Sequence, residues 1–286
     1  MIPRRCVSVV VVTYNSEATI SQCIESVLGT AENWIDRVVV VDNASADRSR
    51  EIVGKYGPPL ISVENNDNLG FAAACNCGAK RCKSEFLLFL NPDARLDENA
   101  LAELVSFLDA RDSAACCGPV LHDENNSADP ACRRGFPTPS NSIGKLFGFD
   151  RLFPASRRFA GYGMPWLGFA REARVDCISG ACFLMRREDF VSIDGFDEQF
   201  FLFGEDIDLF KRISDLGREV WFVPSARVTH LGGQSMKQNS HTADREFYRA
   251  MRLYMSKHWR NLSAPTYKLV EMGVGLRAWL ERVIGH

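Results

Sequence analysis

The chain has 286 residues, of which 46% are hydrophobic and 24% charged, and its formal net charge is −2. This length and composition are those of an ordinary globular protein with one large core or two modest ones, and they exclude general disorder. A charge near zero offers no general attraction to nucleic acid, which is therefore not an expected partner. No segment reaches the roughly 18 consecutive apolar residues that span a bilayer, so we expect a soluble or peripheral protein.

Ten cysteines are scattered along the chain, and their pattern predicts buried thiols. The first apolar run is followed after about seven residues by Tyr14-Asn15-Ser16-Glu17, which fits a buried strand better than a secretory leader. The intervals between Cys75, Cys77 and Cys82 do not match the paired spacings of zinc sites. We therefore expect reduced thiols that pack as small hydrophobic side chains.

Three short apolar runs in the first third of the chain are rich in valine or phenylalanine. They span residues 7–12, 38–41 and 86–90, and they are typical of strands covered on both faces. Residues 16–28 and 45–56, which lie between them, have helical spacing. This alternation predicts an α/β fold with a mainly parallel sheet flanked by helices.

Polar residues follow each of the three predicted strands. They are Thr13-Tyr14-Asn15, Asp42-Asn43 and Asn91-Pro92-Asp93. Open parallel sheets bind ligands at the carboxyl ends of their strands. We therefore expect the three loops to converge on one binding edge.

The second half of the chain is irregular before it becomes helical. Residues 122–174 contain several prolines and glycines and are typical of a variable loop region. Regular structure is expected to return in a strand at residues 175–185, a short helix at 187–193 and three further helices at 208–216, 245–259 and 266–284. We predict a catalytic domain over residues 1–240 and a helical C-terminal appendage over residues 241–286.

Asp93 lies where an apolar run ends, beside a proline that stiffens the turn. Mg²⁺ typically takes one or two carboxylates and completes its ligands with substrate phosphates and water. A turn aspartate before the following helix would give the same tripeptide. Taken alone, the tripeptide is compatible with both interpretations.

Gly204-Glu205-Asp206-Ile207-Asp208 is an acidic cluster between an aromatic run and a predicted helix. Aromatic surroundings raise the pKa of a carboxyl group, and a helix N-terminus lowers it. A carboxyl group subject to both effects can have the intermediate pKa that a general base needs. Either Glu205 or Asp206 fits that role. The alternative is a plain helix N-terminus, where the dipole favours acids.

His230 and residues 68–78 are two further candidates. His230 could ligate a metal opposite Asp93, or it could be an ordinary polar residue. Residues 68–78 combine a glycine turn with small side chains and asparagines, which permits close approach of a ligand or tight packing of a helix. The segment is neither a P-loop nor a dinucleotide-binding fingerprint, so ATP and NAD are not expected.

In this order and spacing the motifs resemble those of the family 2 inverting glycosyltransferases, particularly the bacterial rhamnosyltransferase-like branch. The resemblance covers most of residues 7–260 and is carried by short segments at residues 10–15, 40–47, 68–71, 91–93, 179–181, 204–208 and 230–233. Each segment is weak alone, whereas their order is specific. The resemblance implies a GT-A (Rossmann-like) fold, with a mixed, mainly parallel sheet.

The resemblance also implies a role for each matching residue. Those that would bind the donor are Thr13, Tyr14 and Asn15 in the nucleotide pocket, Asp42 at the pyrimidine base, Asn68 and Gly70 at the ribose and diphosphate, Asn91 in place of a usual aspartate, and Gly180 and Ala181 beside the sugar. Asp93 and His230 would ligate Mg²⁺ or Mn²⁺. Asp206 would be the catalytic base, supported by Glu205.

The implied reaction is a single displacement, in which Asp206 takes a proton from an acceptor hydroxyl that attacks the anomeric carbon and inverts it. The expected donor is dTDP-L-rhamnose, and a UDP-sugar such as UDP-galactofuranose is next. The expected acceptor is a cell-surface polysaccharide or a lipid-linked glycan. We expect this reaction in the bacterial cytoplasm, at the inner face of the membrane.

The last 46 residues, 241–286, carry eight basic and four acidic residues. Trp279 and its apolar neighbours, with Lys268, Arg277 and Arg282 nearby, could lie in an anionic membrane surface. A helix of this kind could equally pack on the domain or on a second subunit. Membrane contact and a homo-oligomer are therefore both open.

Two other classes of protein would use a similar sheet. A non-catalytic sugar-nucleotide-binding subunit would not need Asp93, Asp206 and His230 together. A nucleotidyltransferase would be expected to hold a triphosphate with a glycine-rich, basic loop, and the loop after residue 12 has no basic residue. A glycosyltransferase is therefore the expected function.

Overall fold

The computed structural model describes residues 6–30, 34–232, 240–260 and 262–284. Gly233 of the last matching segment lies outside these residues. Among those described, the strands are β1 (Val7–Thr13), β2 (Ile35–Asp42), β3 (Leu60–Glu64), β4 (Phe86–Leu90), β5 (Ala94–Leu96), β6 (Ala114–His122), β7 (Arg133–Arg134), β8 (Ala173–Val175), β9 (Cys177–Ile178), β10 (Cys182–Arg186) and β11 (Glu219–His230). The helices are α1 (Ile20–Gly29), α2 (Ser49–Val53), α3 (Phe71–Ala79), α4 (Ala100–Asp109), α5 (Pro139–Leu146), α6 (Phe149–Leu152), α7 (Arg187–Ser192), α8 (Glu205–Asp215), α9 (Ser240–His258) and α10 (Ala264–Ile284).

The central sheet has the strand order β3-β2-β1-β4-β10-β6-β11-β5, and β8 also pairs with β11. Strands β1 to β4 are parallel to one another, as are β6 and β11. Strand β10 is antiparallel to both of its neighbours, β4 and β6. The predicted mixed, mainly parallel sheet is confirmed. Because β1, β2, β4, β6 and β11 run the same way, their carboxyl ends open on one edge.

The core lies around the strands that sequence patterns identified. Every residue of β1 and of β4 is buried, as expected for strands covered on both faces. Helix α3 packs against β1 and β2, and Gly78 lies so close to the sheet that a Cβ there would be 2.6 Å from Val10 Cγ1. The small residues of segment 68–78 thus have a packing function.

Several predicted boundaries were wrong for local reasons. Helix α2 is shorter than the predicted 45–56, because the preceding residues form turns in which Ser45 N donates to Asp42 Oδ1 and Ser49 N donates to Asp47 Oδ1. The strand predicted over residues 175–185 is divided among the end of β8, β9 and β10, by a bend at residue 176 and a turn at residues 179–181. Helix α8 begins at Glu205, directly after Gly204, which has a left-handed φ of 78°.

The C-terminal helices pack on the rest of the protein through a second apolar cluster. Phe200 contributes to it, together with Tyr254, Met255 and Trp259 from α9 and its following turn and Val270 from α10. Asp208 of α8, which is fully buried, bonds Lys257 and His258 at 2.8 and 2.7 Å. Helix α9 therefore contacts the predicted catalytic domain closely, while the boundary at residue 240 stays a prediction.

The ten cysteines are free, and all but the partly exposed Cys77 are buried. Burial raises the pKa of Cys6 and Cys132 to about 11, so these thiols are protonated at neutral pH. The expectation of buried thiols is confirmed. None of the helices in the described part of the chain is long and apolar enough to cross a bilayer.

Candidate active site

Thr13 and Asp42 end β1 and β2 and are paired in register. Asp42 Oδ1 accepts from Arg50 Nε at 2.6 Å and from Ser45 N at 2.9 Å. Within the described residues, Asp42 Oδ2 and Thr13 Oγ1 are buried without a hydrogen-bond partner. Buried polar atoms are rarely left unpaired. These two atoms therefore indicate a place where a ligand supplies the missing partners.

Tyr14 and Asn15 form the loop that follows β1. The Tyr14 side chain is 43% exposed. Asn15 has a φ of 50°, its Oδ1 accepts from Ala46 N at 2.8 Å, and its N donates to Ser45 Oγ at 3.0 Å. Asn15 thus joins the loops after β1 and β2, and Tyr14 lies at the surface beside them.

Asn68 and Gly70 have evident roles in loop packing. Asn68 Oδ1 accepts from Asn43 Nδ2 at 2.8 Å and from Gly70 N at 3.0 Å. Gly70 has a φ of 85°, and a Cβ there would lie 2.6 Å from Phe201 O. Only glycine fits such a close approach with this φ. The predicted roles of Asn68 and Gly70 at the ribose and diphosphate stay predictions.

Asp93 and His230 are brought together as predicted, with Asp93 Oδ1 3.3 Å from His230 Nε2. The cause is the antiparallel pairing of β5 with β11, which sets His230 opposite Ala94. Among the described residues there is no group of three or more His, Cys, Asp or Glu side chains that could hold a metal. One carboxylate and one imidazole fit a divalent cation that takes its other ligands from a diphosphate and water.

The turn at residues 179–181 connects this pair with the acidic cluster. Asn91 N donates to Ala181 O at 2.8 Å, and Gly180 N donates to Asp206 Oδ2 at 3.1 Å. A Cβ on Gly180 would lie 3.3 Å from the Asp206 side chain, so the glycine allows the carboxylate to approach. The segments that contain Asp93 and Asp206 thus meet at one turn.

Asp206 has an ion-pair partner that sequence reasoning missed. Arg134 Nη2 is 2.6 Å from Asp206 Oδ2, and both side chains are at most 15% exposed. The same nitrogen donates to Ile178 O at 3.0 Å. Arg134 lies 72 residues before Asp206, in the region without readable periodicity, so no sequence signal connects the two.

Glu205 has a raised pKa. Burial, and next the negative charge of Asp206, raise the pKa of Glu205 to about 8. Its Oε2 is buried without a hydrogen-bond partner among the described residues. Glu205 therefore holds a proton at neutral pH, whereas Asp206 has the Arg134 cation beside it.

The chain belongs to glycosyltransferase family 2, because the family model described as glycosyl transferase family 2 matches residues 8–192. A second model, described as the N-terminal domain of galactosyltransferase, matches residues 169–234. The predicted family and the predicted transferase activity on a hexose are thereby confirmed.

Curated relatives show the branch of the family. The chain is 25% identical, over 78% of its length and 75% of the relative's, to the N-acetylglucosaminyl-diphospho-decaprenol L-rhamnosyltransferase of Mycobacterium tuberculosis. It is 24% identical to the rhamnosyltransferase WbbL of Escherichia coli K12, over 90% of this chain and 92% of that one. These relatives support the rhamnosyltransferase branch.

Solved structures confirm the GT-A fold. TarS 1–349 of Staphylococcus aureus in complex with UDP-GlcNAc has a TM-score of 0.61 and 20% identity, over 96% of this chain and 72% of that one. The mannosyltransferase PcManGT of Pyrobaculum calidifontis in complex with GDP-Man and Mn²⁺ has a TM-score of 0.62 and 18% identity, over 98% and 71%. At these identities the likeness concerns the fold alone.

Proposed function

We propose that this chain transfers L-rhamnose from dTDP-L-rhamnose to a hydroxyl group of a lipid-linked glycan, with inversion at the anomeric carbon. The observation that carries the proposal is the turn at residues 179–181, which contacts both Asn91 and Asp206. Two relatives are rhamnosyltransferases, and the name of one includes a decaprenol diphosphate, which supports the sugar and the acceptor. The cytoplasmic location stays a prediction.

Asp42 would select the base of the donor. Its Oδ1 is already bonded to Arg50 and Ser45, and its buried Oδ2 can only accept a hydrogen bond when the carboxyl group is ionised. Thymine and uracil carry an N3–H donor, whereas N3 of cytosine is an acceptor. Thymidine and uridine nucleotides therefore fit the site alike. Cytidine nucleotides fit it less well, because their remaining donor is the N4 amino group at the neighbouring ring position.

Asp93 and His230 would hold Mg²⁺ or Mn²⁺, with Asn91 beside the donor. A bound divalent cation supplies positive charge that stabilises the leaving diphosphate. The Mn²⁺ named with the mannosyltransferase structure supports a divalent metal in this fold. Since this chain offers one carboxylate and one imidazole, binding of the metal should depend strongly on the donor diphosphate.

Asp206 would accept the proton of the attacking hydroxyl. Arg134 and Gly180 N hold its Oδ2, which fixes the orientation of the carboxylate. The protonated Glu205 adds no second negative charge beside it. A positioned general base contributes about 10²- to 10⁴-fold to the rate of such a reaction.

A nucleotide screen tests the donor site. We expect dTDP and UDP, with Mn²⁺, to raise the melting temperature of the full chain, and CDP to have little effect. Asp42→Asn should weaken dTDP binding about tenfold to a hundredfold, because a hydrogen bond to a charged group is worth about 1.5–3 kcal/mol. Asp67→Asn, an exposed change in a neighbouring turn, is the control. Equal binding of CDP and dTDP would reject this role of Asp42.

A UDP-hexose such as UDP-galactofuranose is the second candidate donor, favoured by the match of residues 169–234 to a galactosyltransferase domain. Incubation of the chain with each nucleotide sugar and a lipid-linked glycan separates the two. Release of dTDP supports rhamnosyl transfer, and release of UDP supports the alternative. Release of pyrophosphate would contradict both and would indicate a nucleotidyltransferase.

A further inference from the structure

Helices α5 and α6 carry an apolar cluster that is exposed to solvent. The centroids of neighbouring rings lie within 6.1 Å of one another in the pairs Phe147–Phe149, Phe149–Phe159 and Phe153–Phe159. Phe147 is 62% exposed and Leu152 is 68% exposed. We call Phe147, Phe149, Leu152, Phe153 and Phe159 the aromatic cluster. A concentration of exposed apolar side chains marks an interaction surface.

Helix α10 has two apolar faces. Val270 and Val274 are buried in the second apolar cluster, against which Ile143 of α5 also packs. The other face is exposed and has intervals of three, four and three residues, at Leu269, Met272, Leu276 and Trp279. Residues at these intervals form one stripe along a helix. Helix α10, which carries the exposed stripe, contacts α5. The aromatic cluster begins directly after α5.

Basic residues predominate in the segment that contains the aromatic cluster. Residues 139–171 contain five basic residues and one acidic residue, in a chain whose net charge is −2. Lys145, Arg151, Arg157 and Arg158 are exposed, and within the described residues none of these four side chains has a carboxylate at ion-pair distance. Basic side chains combined with exposed Phe, Leu and Trp are typical of surfaces that bind anionic membranes.

This surface begins shortly after Arg134, the residue that bonds Asp206. Arg134, which bonds Asp206, is five residues before the start of α5. Trp259 Nε1 donates to Pro137 O at 3.3 Å, which joins the end of α9 to this segment. A cavity of about 500 Å³ is lined by Phe136, Arg157 and Trp166, among others. The cavity is thus lined both by Phe136, which follows the strand β7 that contains Arg134, and by the basic residue Arg157.

We propose that the aromatic cluster and the exposed stripe of α10 form one docking surface for a bilayer that contains anionic phospholipids. The apolar side chains would enter the interface between headgroups and acyl chains, and the basic side chains would lie against the phosphates. The charge complementarity favours a lipid surface over a second copy of this chain, whose corresponding surface would carry the same positive charge. The proposal does not depend on the donor or acceptor proposed above.

Vesicle co-sedimentation of the full chain tests this proposal without donor or acceptor. We expect strong binding to phosphatidylcholine vesicles that contain phosphatidylglycerol, weak binding to phosphatidylcholine alone, and loss of binding at high salt. Both the Phe147→Gln/Leu152→Gln/Phe153→Gln variant and the Arg151→Gln/Arg157→Gln/Arg158→Gln variant should bind at least about tenfold more weakly. The control is Val191→Gln/Leu216→Gln, which removes two exposed apolar side chains on α7 and after α8.

Wild-type binding by both triple variants, with melting temperatures unchanged, would overturn the proposal. So would equal binding to the two kinds of vesicle. If the chain binds neither vesicle but sediments as a dimer that the aromatic variant dissociates, the surface joins two copies and the membrane assignment is wrong.

Discussion

Glu205 and Asp206 are neighbours in the chain, but their carboxyl groups have different surroundings. Glu205 is buried without a partner for its Oε2 among the described residues, whereas Asp206 bonds Arg134 and Gly180 N. Carboxyl groups that lie close together in different surroundings are typical of acid–base sites. The residue pattern by itself left both acids open as the base, and only the family resemblance favoured Asp206, because the physical distinction depends on Arg134.

The raised pKa of Glu205 predicts how stability depends on pH. In the folded protein this carboxyl group binds its proton more tightly than at its ordinary pKa of 4.5. Its contribution to the free energy of unfolding is therefore complete below about pH 4.5 and is lost as the pH rises to about 8, with a slope of up to about 1.4 kcal/mol per pH unit. Glu205→Gln should remove this loss.

Urea unfolding of the wild type and Glu205→Gln between pH 5 and about pH 9 measures the difference. The stability of the variant relative to the wild type should increase with pH across this range. Glu103→Gln, an exposed change in the first turn of α4, should show no such trend. Parallel pH profiles for the wild type and Glu205→Gln would show that Glu205 ionises normally.

Helices α8 and α9 are held together by a buried carboxylate. Asp208 bonds Arg212 on its own helix, and Lys257 and His258 on α9. Burial alone would raise the pKa of Asp208, but the hydrogen bonds from His258 and Lys257 and the charge of Arg212 lower it to about 2. The α8–α9 contact is therefore a structural support for the acidic cluster, which lies in the first turn of α8.

Asp208→Asn should destabilise the protein by about 3–5 kcal/mol at neutral pH, because the half-buried Arg212 and Lys257 lose the buried carboxylate that balances their charge. Asp215→Asn is a matched control on the same helix. Asp215 pairs with Lys211 at the surface, and such pairs contribute less than about 1 kcal/mol. Denaturant unfolding of both variants checks the difference, and similar losses would contradict the structural role of Asp208.

The same carboxylate predicts acid sensitivity. Since the pKa of Asp208 is lowered from 3.8 to about 2, its stabilisation is complete above about pH 4 and is lost as the pH falls towards 2. The stability difference between wild type and Asp208→Asn should therefore shrink over that interval.

Secondary-structure elements were predictable where their pattern is local. The valine-rich β1 and β2 follow from their continuous apolar runs, and α10 follows from its helical spacing. The shortening of α2 follows from side chains of Asp42 and Asp47 that accept from the backbone of nearby turns, which compete with the helix. The turn that separates β9 from β10 brings Gly180 N to Asp206. The sequence pattern does not reveal this contact between distant residues.

On the scale of the whole molecule, the sheet gathers distant motifs at one edge. Thr13 and Asp42 are adjacent because β1 and β2 are parallel and in register, and Asp93 meets His230 because β5 pairs with β11. The order of the motifs was sufficient to predict this convergence. Arg134 and the basic surface of α5–α6 were not predictable, because residues 122–174 have no repeating pattern and their positions depend on tertiary packing.

The central claim, that Asp206 is the base of a sugar transfer, is tested most directly by single-turnover transfer with wild type and Asp206→Asn. Donor binding is measured in parallel with Mn²⁺ present. We predict that the variant binds the nucleotide sugar within about twofold of wild type and transfers the sugar about 10²- to 10⁴-fold more slowly. Transfer within about tenfold of wild type, with donor binding intact, would contradict the assignment.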